Sequence, residues 1–166
     1  MIKILTIVGP APCLLADLTA LQSIVSSFDY DVMAIGLSMA EFTGHIKHVA
    51  TLHPYELPEF WKRRESIGRN QGYETHSHEE YGIWVNRLWP YTPPSGSSAM
   101  LGVEAGMGMR YQKIILAGCP LAANTRYDEF HRGWQIRFET IKNYVRSMSG
   151  WTKELLGSPT EEWLNA

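Results

Sequence analysis

The sequence predicts an α/β fold with a mainly parallel sheet flanked by helices. Three observations carry that expectation. Two largely apolar runs, Ile2 to Val8 (IKILTIV) and Lys113 to Gly118 (KIILAG), read as strands buried on both faces. Segments of helical spacing alternate with strand-like segments along the chain. Glycine-bearing turns follow the strands at Gly9, Gly36 and Gly118.

The elements follow in order. After the first strand, Gly9 to Cys13 (GPAPC) forms the βα turn. Leu14 to Phe28 has apolar residues at 14, 18, 21, 25 and 28, the period of a helix. Asp31 to Gly36 is a second strand, Ser38 to Gly44 a short helix, and His48 to Leu52 a third strand ended by His53-Pro54. Leu57 to Ile67 is a helix rich in charge, and Gly72 to Thr75 a fourth short strand. Residues 76 to 95 read as irregular, with prolines at 90, 93 and 94. A helix packed with small residues then runs from about Ser98 to Met109. Gly102, Gly106 and Gly108 each disfavour it by about 1 kcal/mol against alanine. Ala99, Gly102 and Gly106 share one face, so close approach to a sheet is expected. The strand at Lys113 to Gly118 comes next. Tyr127 to Met148 carries one helical pattern with a stripe of Phe130, Trp134, Phe138, Ile141 and Val145. A capping signal, Ser-Pro-Thr-Glu-Glu, opens a last short helix. Residues 1–125 form a Rossmann-like core, and 126–166 a helical C-terminal extension packed on the same domain.

The chain has 166 residues, enough for one domain with a real core. Its net charge is -2, so no basic surplus points to nucleic acid. Two cysteines, Cys13 and Cys119, make no disulfide framework, and no cysteine–histidine spacing suggests structural zinc. No apolar run reaches the ~18 residues of a membrane span, and Pro10, Pro12 and Asp17 interrupt any signal-peptide pattern. A cytoplasmic protein with reduced thiols is expected, in the host cytoplasm if phage-encoded. Six tryptophans and eight tyrosines exceed what so small a core needs, and leave a homo-oligomer open.

In such folds a ligand sits beyond the carboxyl ends of the strands, where the strand order reverses. The residues expected there are Gly9 to Cys13, Gly36 to Ser38, His53, and Cys119 to Leu121, with Gly96, Ser97 and Ser98 opening the small-residue helix. A helix start with free N–H donors attracts phosphate or carboxylate. Serines of this kind are as often plain caps without a ligand.

The ordered set of motifs is familiar. GPAPCL resembles the G-x-G-P-S-L turn of a Rossmann-like group containing archaeal 6-hydroxymethylpterin diphosphokinases of the MptE type and bacterial sialyltransferases. GSSAMLGVEAGMGMRYQKIILAGCPL is similar to the group's later helix–strand segment, and DVMAIG and HVATLHP to the strands between. Small phage and prophage proteins share this order. The resemblance implies a nucleotide or other small anionic ligand, a nucleotide sugar and Mg²⁺ among the candidates. Gly9, Ala11 and Cys13 would lie along the phosphate or ribose, and Ser97 and Ser98 at the phosphate end. Gly36 and His53 fall where the sialyltransferases have asparagines. The chain departs from the pattern at Ala11 for glycine, at Cys13 for serine, and at Cys119-Pro120, where the group has an acid.

His53 is the best-placed group for proton transfer, as catalytic residue of a glycosyl- or diphosphoryl-transferase, or it is a strand-end histidine bonded to backbone. His76 and His78 form an i, i+2 pair without a third anchor, so no metal site is assigned and a solvated loop is expected. Cys13 is read as a small buried filler, and Lys62, Arg63 and Arg64 as a solvated face. The competing functional expectation is a non-catalytic binding or protein-interaction module on the same fold.

Overall fold

The computed structural model describes residues 2–69, 72–91, 93–122 and 127–166. Seven strands form one sheet: β1 (Ile4–Val8), β2 (Tyr30–Ile35), β3 (His48–Ala50), β4 (Glu74–Ser77), β5 (Arg87–Leu88), β6 (Lys113–Ala117) and β7 (Val145–Ser147). Their order is β5-β4-β3-β2-β1-β6-β7. Every pairing is parallel. The helices are α1 (Leu14–Val25), α2 (Ser38–Glu41), α3 (Leu57–Ser66), α4 (Ser97–Gly108), α5 (Asp128–Ile141), α6 (Gly150–Leu156) and α7 (Glu161–Asn165), with a 3₁₀ turn at Pro54–Glu56. The α/β fold and the Rossmann-like form read from the sequence are therefore present. No helix among the described residues is long and apolar enough to cross a membrane.

The two apolar runs become the centre of the sheet. All five residues of β1 and all five of β6 are buried. The chain builds outward from β1 in one direction as far as β5, then crosses back through α4 to place β6 on the other side of β1. Strand order thus reverses between β1 and β6.

The small residues of α4 do what their shared face implies. A methyl group on Gly102 would lie 3.0 Å from Met33 Sδ and 3.2 Å from Ile7 Cδ1. One on Gly106 would lie 2.8 Å from Leu5 Cδ2, and one on Gly108 would overlap the Trp89 ring. The helix therefore rests directly on the sheet. On its other side it receives α5, whose Trp134 is fully buried and donates through Nε1 to the Gly96 carbonyl at 2.6 Å.

Four elements differ from the sequence reading, one of them α6, which that reading did not contain. The pattern across Tyr127 to Met148 is not one helix: α5 ends at Ile141, and Val145–Ser147 forms β7, which pairs with β6 from Ile114↔Val145 to Leu116↔Ser147. Val145 continues a helical stripe by spacing, but burial at the sheet edge satisfies it equally well. The C-terminal extension is thus helical with one strand. The fourth strand lies at Glu74–Ser77 rather than 72 to 75, and the stretch read as irregular contains β5.

Gly133, in the middle of α5, tests this packing. Propensity alone favours alanine there by about 1 kcal/mol. Its methyl group, however, would lie 2.7 Å from the Ser95 carbonyl and the Gly96 nitrogen, which are backbone and cannot step aside. Gly133→Ala is expected to destabilise by about 1–3 kcal/mol in urea unfolding. Gly102→Ala, which meets only the ends of flexible side chains, is expected to cost less.

Candidate functional sites at the two edges of the sheet

At the carboxyl edge, the loop after β1 is clamped to the end of β6. Gly9 N–H donates to the Ala117 carbonyl at 2.8 Å and Ala11 N–H to the Gly118 carbonyl at 3.2 Å. A side chain on Gly9 would overlap the Gly118 carbonyl. Gly36, at φ +53°, lies beside Pro10. The predicted residues Gly9, Ala11, Cys13 and Gly36 are therefore gathered at the point where strand order reverses.

A buried acid reaches the end of β6 from α1. Asp17 is buried, and its Oδ2 accepts from Gly118 N–H at 2.8 Å and from the Ser149 hydroxyl at 2.7 Å. Ser149 Oγ in turn lies 3.3 Å from Cys13 Sγ. Burial pushes the Cys13 thiol up, and the nearby Asp17 adds to this against the contact with Ser149. Cys13 therefore stays a neutral thiol, a weak donor and not a ready nucleophile. Neither Asp17 nor Ser149 stood out in the sequence, because 132 residues separate them.

The start of α4 is used internally. Ser97, at φ +79°, donates its N–H to Ser95 Oγ, and its own Oγ accepts from Ala99 N–H. Ser98 Oγ accepts from Leu52 N–H at 3.1 Å, which ties the end of β3 to this helix. Gly96 is buried beneath α5. The space left beside Ser97, Leu52 and Arg137 is about 10 Å³, room for one water. His53 follows Leu52 but faces solvent, with its ring 5.7 Å from that of Tyr55 and its N–H bonded to Thr51 Oγ1.

The amino edge holds a cluster that sequence reading did not assemble. Parallel register sets His48 opposite Glu74, and Ala50 opposite His76. Residues two apart on a strand share a face, so Glu74 and His76 point the same way as His48. His48 Nδ1 lies 3.1 Å from His76 Nε2. Glu74 Oε2 lies 3.6 Å from the first and 3.7 Å from the second. His76, expected in a solvated loop, is thus fully buried in β4 and meets His48, while His78 lies beside Tyr91, ring centres 4.9 Å apart. The E-x-H spacing on β4 is visible in the sequence, but the cross-strand register that adds His48 is not.

Donor rules give this cluster a direction. An indole nitrogen only donates, so Trp89 Nε1, 3.0 Å from His76 Nδ1, makes that nitrogen an acceptor. A neutral His76 then carries its proton on Nε2 and donates to His48 Nδ1. His48 donates through Nε2 to Tyr111 Oη at 3.0 Å, and Tyr111 donates to Asp31 Oδ2 at 2.6 Å. Lys47 closes the chain on Asp31 at 2.8 Å, and Arg87 Nε holds Glu74 Oε1 at 2.7 Å.

The proton affinities agree with that direction. Burial, with His48 adding to it, pushes His76 down to about 4. Burial also lowers His48, against the pull of Glu74. Burial and the bond to Asp31 raise Tyr111. Burial alone would raise Asp31, but the bonds from Lys47 and Tyr111 outweigh it and hold its carboxyl below the usual range. Both imidazoles are neutral at pH 7. Beside them, Asp31 also borders an open cleft of about 190 Å³ walled by Lys3, Asp29 and Tyr30.

No protein-family model matches the chain, and neither a curated protein nor a solved structure matches it.

A neutral buried histidine has a signature in acid. Its folded affinity for protons lies below the unfolded one, so the unfolded chain takes up protons first as pH falls. Stability is full above pH ~6.5 and declines toward pH 4. Between pH 7 and 5, His76 alone is expected to remove about 2 kcal/mol of unfolding free energy, and His76→Gln to flatten that slope. Urea unfolding at the two pH values checks it. Equal stability at both would mean that the imidazoles are not held neutral.

Proposed function

We propose that the protein binds a small phosphate-bearing ligand, a nucleotide in the first instance, at the carboxyl edge between β1 and β6. One observation carries this reading: strand order reverses there, and the loop 9–13 leads straight into the N-terminus of α1. In parallel α/β sheets that point is the usual ligand crevice. The first turn of a helix offers N–H groups without intrahelical partners and the positive end of the dipole. Pro10, Pro12, Leu15 and Ala16 are exposed around it, and Leu15, 77% exposed, gives a base an apolar surface to lie on.

Binding without chemistry at His53 fits the geometry better than transfer. A general acid or base works within hydrogen-bond reach of its proton's destination and gains from a second positioned group. The ring at His53 has a tyrosine beside it and solvent around it. The start of α4 is filled by its own bonds to Leu52, Ser95 and Trp134.

The test is a thermal-shift and calorimetric series with nucleotides, nucleotide sugars and inorganic phosphate, with and without Mg²⁺. A ligand at 100 times its Kd stabilises by about 2.7 kcal/mol. At least one compound is expected to do so. Ala11→Glu, which sets a negative charge in the loop, is expected to abolish the response with the circular dichroism spectrum unchanged, and His53→Ala to leave it intact. Silence across the series, or a response that survives Ala11→Glu, would remove the proposal.

A further inference from the structure

We infer that His48, His76 and Glu74 form a binding site for a divalent transition-metal ion, zinc or cobalt in type, at the amino edge of the sheet. The three ligand atoms are His48 Nδ1, His76 Nε2 and Glu74 Oε2, all within 4.8 Å of one another. Their separations are 3.1, 3.6 and 3.7 Å. A tetrahedral ion with bonds of about 2.0–2.1 Å holds neighbouring ligands roughly 3.3 Å apart, so the triangle has the dimensions of one face of such a site. Two imidazoles and a carboxylate suit zinc and its neighbours rather than magnesium or calcium. The fourth position opens on the side of Glu74, whose side chain is 31% exposed, while His48 and His76 seal the other side.

The surroundings orient two of the three ligands as metal sites require. A ligating histidine commonly donates its other ring N–H toward a carboxylate, which fixes the tautomer and raises basicity. His48 does this through Tyr111 to Asp31. Arg87 holds Glu74 by the carboxylate oxygen that does not face the histidines. The third ligand is arranged against the ion. Trp89 donates to His76 Nδ1, which keeps the proton on Nε2 where the metal would bind. On metal capture that proton moves to Nδ1, the ring stays neutral, and the indole N–H loses its acceptor and must turn away. The His76 Nε2–H bond to His48 Nδ1 ends as well, and these two lost hydrogen bonds are a small opposing term beside a three-ligand metal site. Trp89 therefore acts as a latch that weakens the site and reports on its filling.

The experiment uses the full chain, stripped with chelator and titrated with Co²⁺ and then Zn²⁺, with visible absorption and calorimetry as readouts. One equivalent is expected to bind, with the visible bands of four- or five-coordinate cobalt, and Zn²⁺ is expected to displace it. Glu74→Gln, at a partly exposed position the fold tolerates, is expected to weaken binding by about tenfold or more, the order by which even outer-shell changes act. Trp89→Phe, which removes the opposing donor, is expected to tighten it. A purely structural histidine pair predicts no such gain. Absence of binding at millimolar metal, or stoichiometric binding left unchanged by both Glu74→Gln and His76→Gln, would overturn the assignment.

Discussion

The fold depends on the close approach of β1 and β6 at their carboxyl ends. Gly9 and Gly118 meet backbone to backbone, with no room for a side chain between them. That contact leaves the Gly118 N–H buried, and a buried donor without a partner destabilises by about 1–3 kcal/mol. Asp17 reaches across from α1 to accept it, and Ser149, at the start of α6, donates to the same carboxylate oxygen. One side chain thus joins the first helix, the central strand pair and the C-terminal segment. The loop 9–13 is held by the same contact, through bonds from Gly9 to Ala117 and from Ala11 to Gly118.

The amino edge solves a harder version of the same problem. An all-parallel sheet covered on both faces has little tolerance for polar side chains. Yet one face of neighbouring strands carries Asp31, His48, Glu74 and His76. The row is sustainable because each donor has an acceptor in a single direction, from Trp89 to Asp31, and because charge stays at its rim on Lys47, Glu74 and Arg87. Satisfied networks of this kind are specific, and removing one member leaves the rest without partners. α4 rests through Gly102 and Gly106 on Met33, Ile7, Leu5 and Ile114, and through Gly108 on Trp89, which bonds this row at His76.

The fold was legible where composition and period coincide. IKILTIV and KIILAG read as buried strands, and β1 and β6 lie within them, while the glycines of α4 announced close contact before any partner was known. β7 was not legible, because three residues carry too little period to outweigh the stripe of the preceding helix. Within the candidate sites, the loop 9–13 could be located, since a strand's end and a helix's start place it. The commitment of Ser98 to Leu52 and of Ser97 to its own turn could not. A serine at a helix start offers the same hydroxyl to a ligand or to a neighbour, and only tertiary structure decides. His53 and His76 show the difference most clearly. Position at a strand end favoured His53, but burial and register gave His76 the partners.

The two edges also differ in the sign of the field they present. In a parallel α/β sheet the helices start near the carboxyl ends of the strands and finish near the amino ends. The carboxyl edge therefore gathers positive helix ends, and the amino edge negative ones. Here α1 begins beside the crevice at Gly9 to Cys13. The end of α4 lies against Trp89, which bonds His76, and the chain leaving α4 reaches Tyr111, which bonds His48. Asp31 and Glu74 lie on the same side, each paired with a cation, Lys47 and Arg87. An anion at the carboxyl edge and a cation at the amino edge are thus each favoured by the fold's own dipoles. His48 and His76 are held in a hydrogen-bonded arrangement, and the exposed His53 has no such arrangement around it. Ala11 follows β1 and Glu74 opens β4, so the two proposed sites can be changed independently, at residues on different strands.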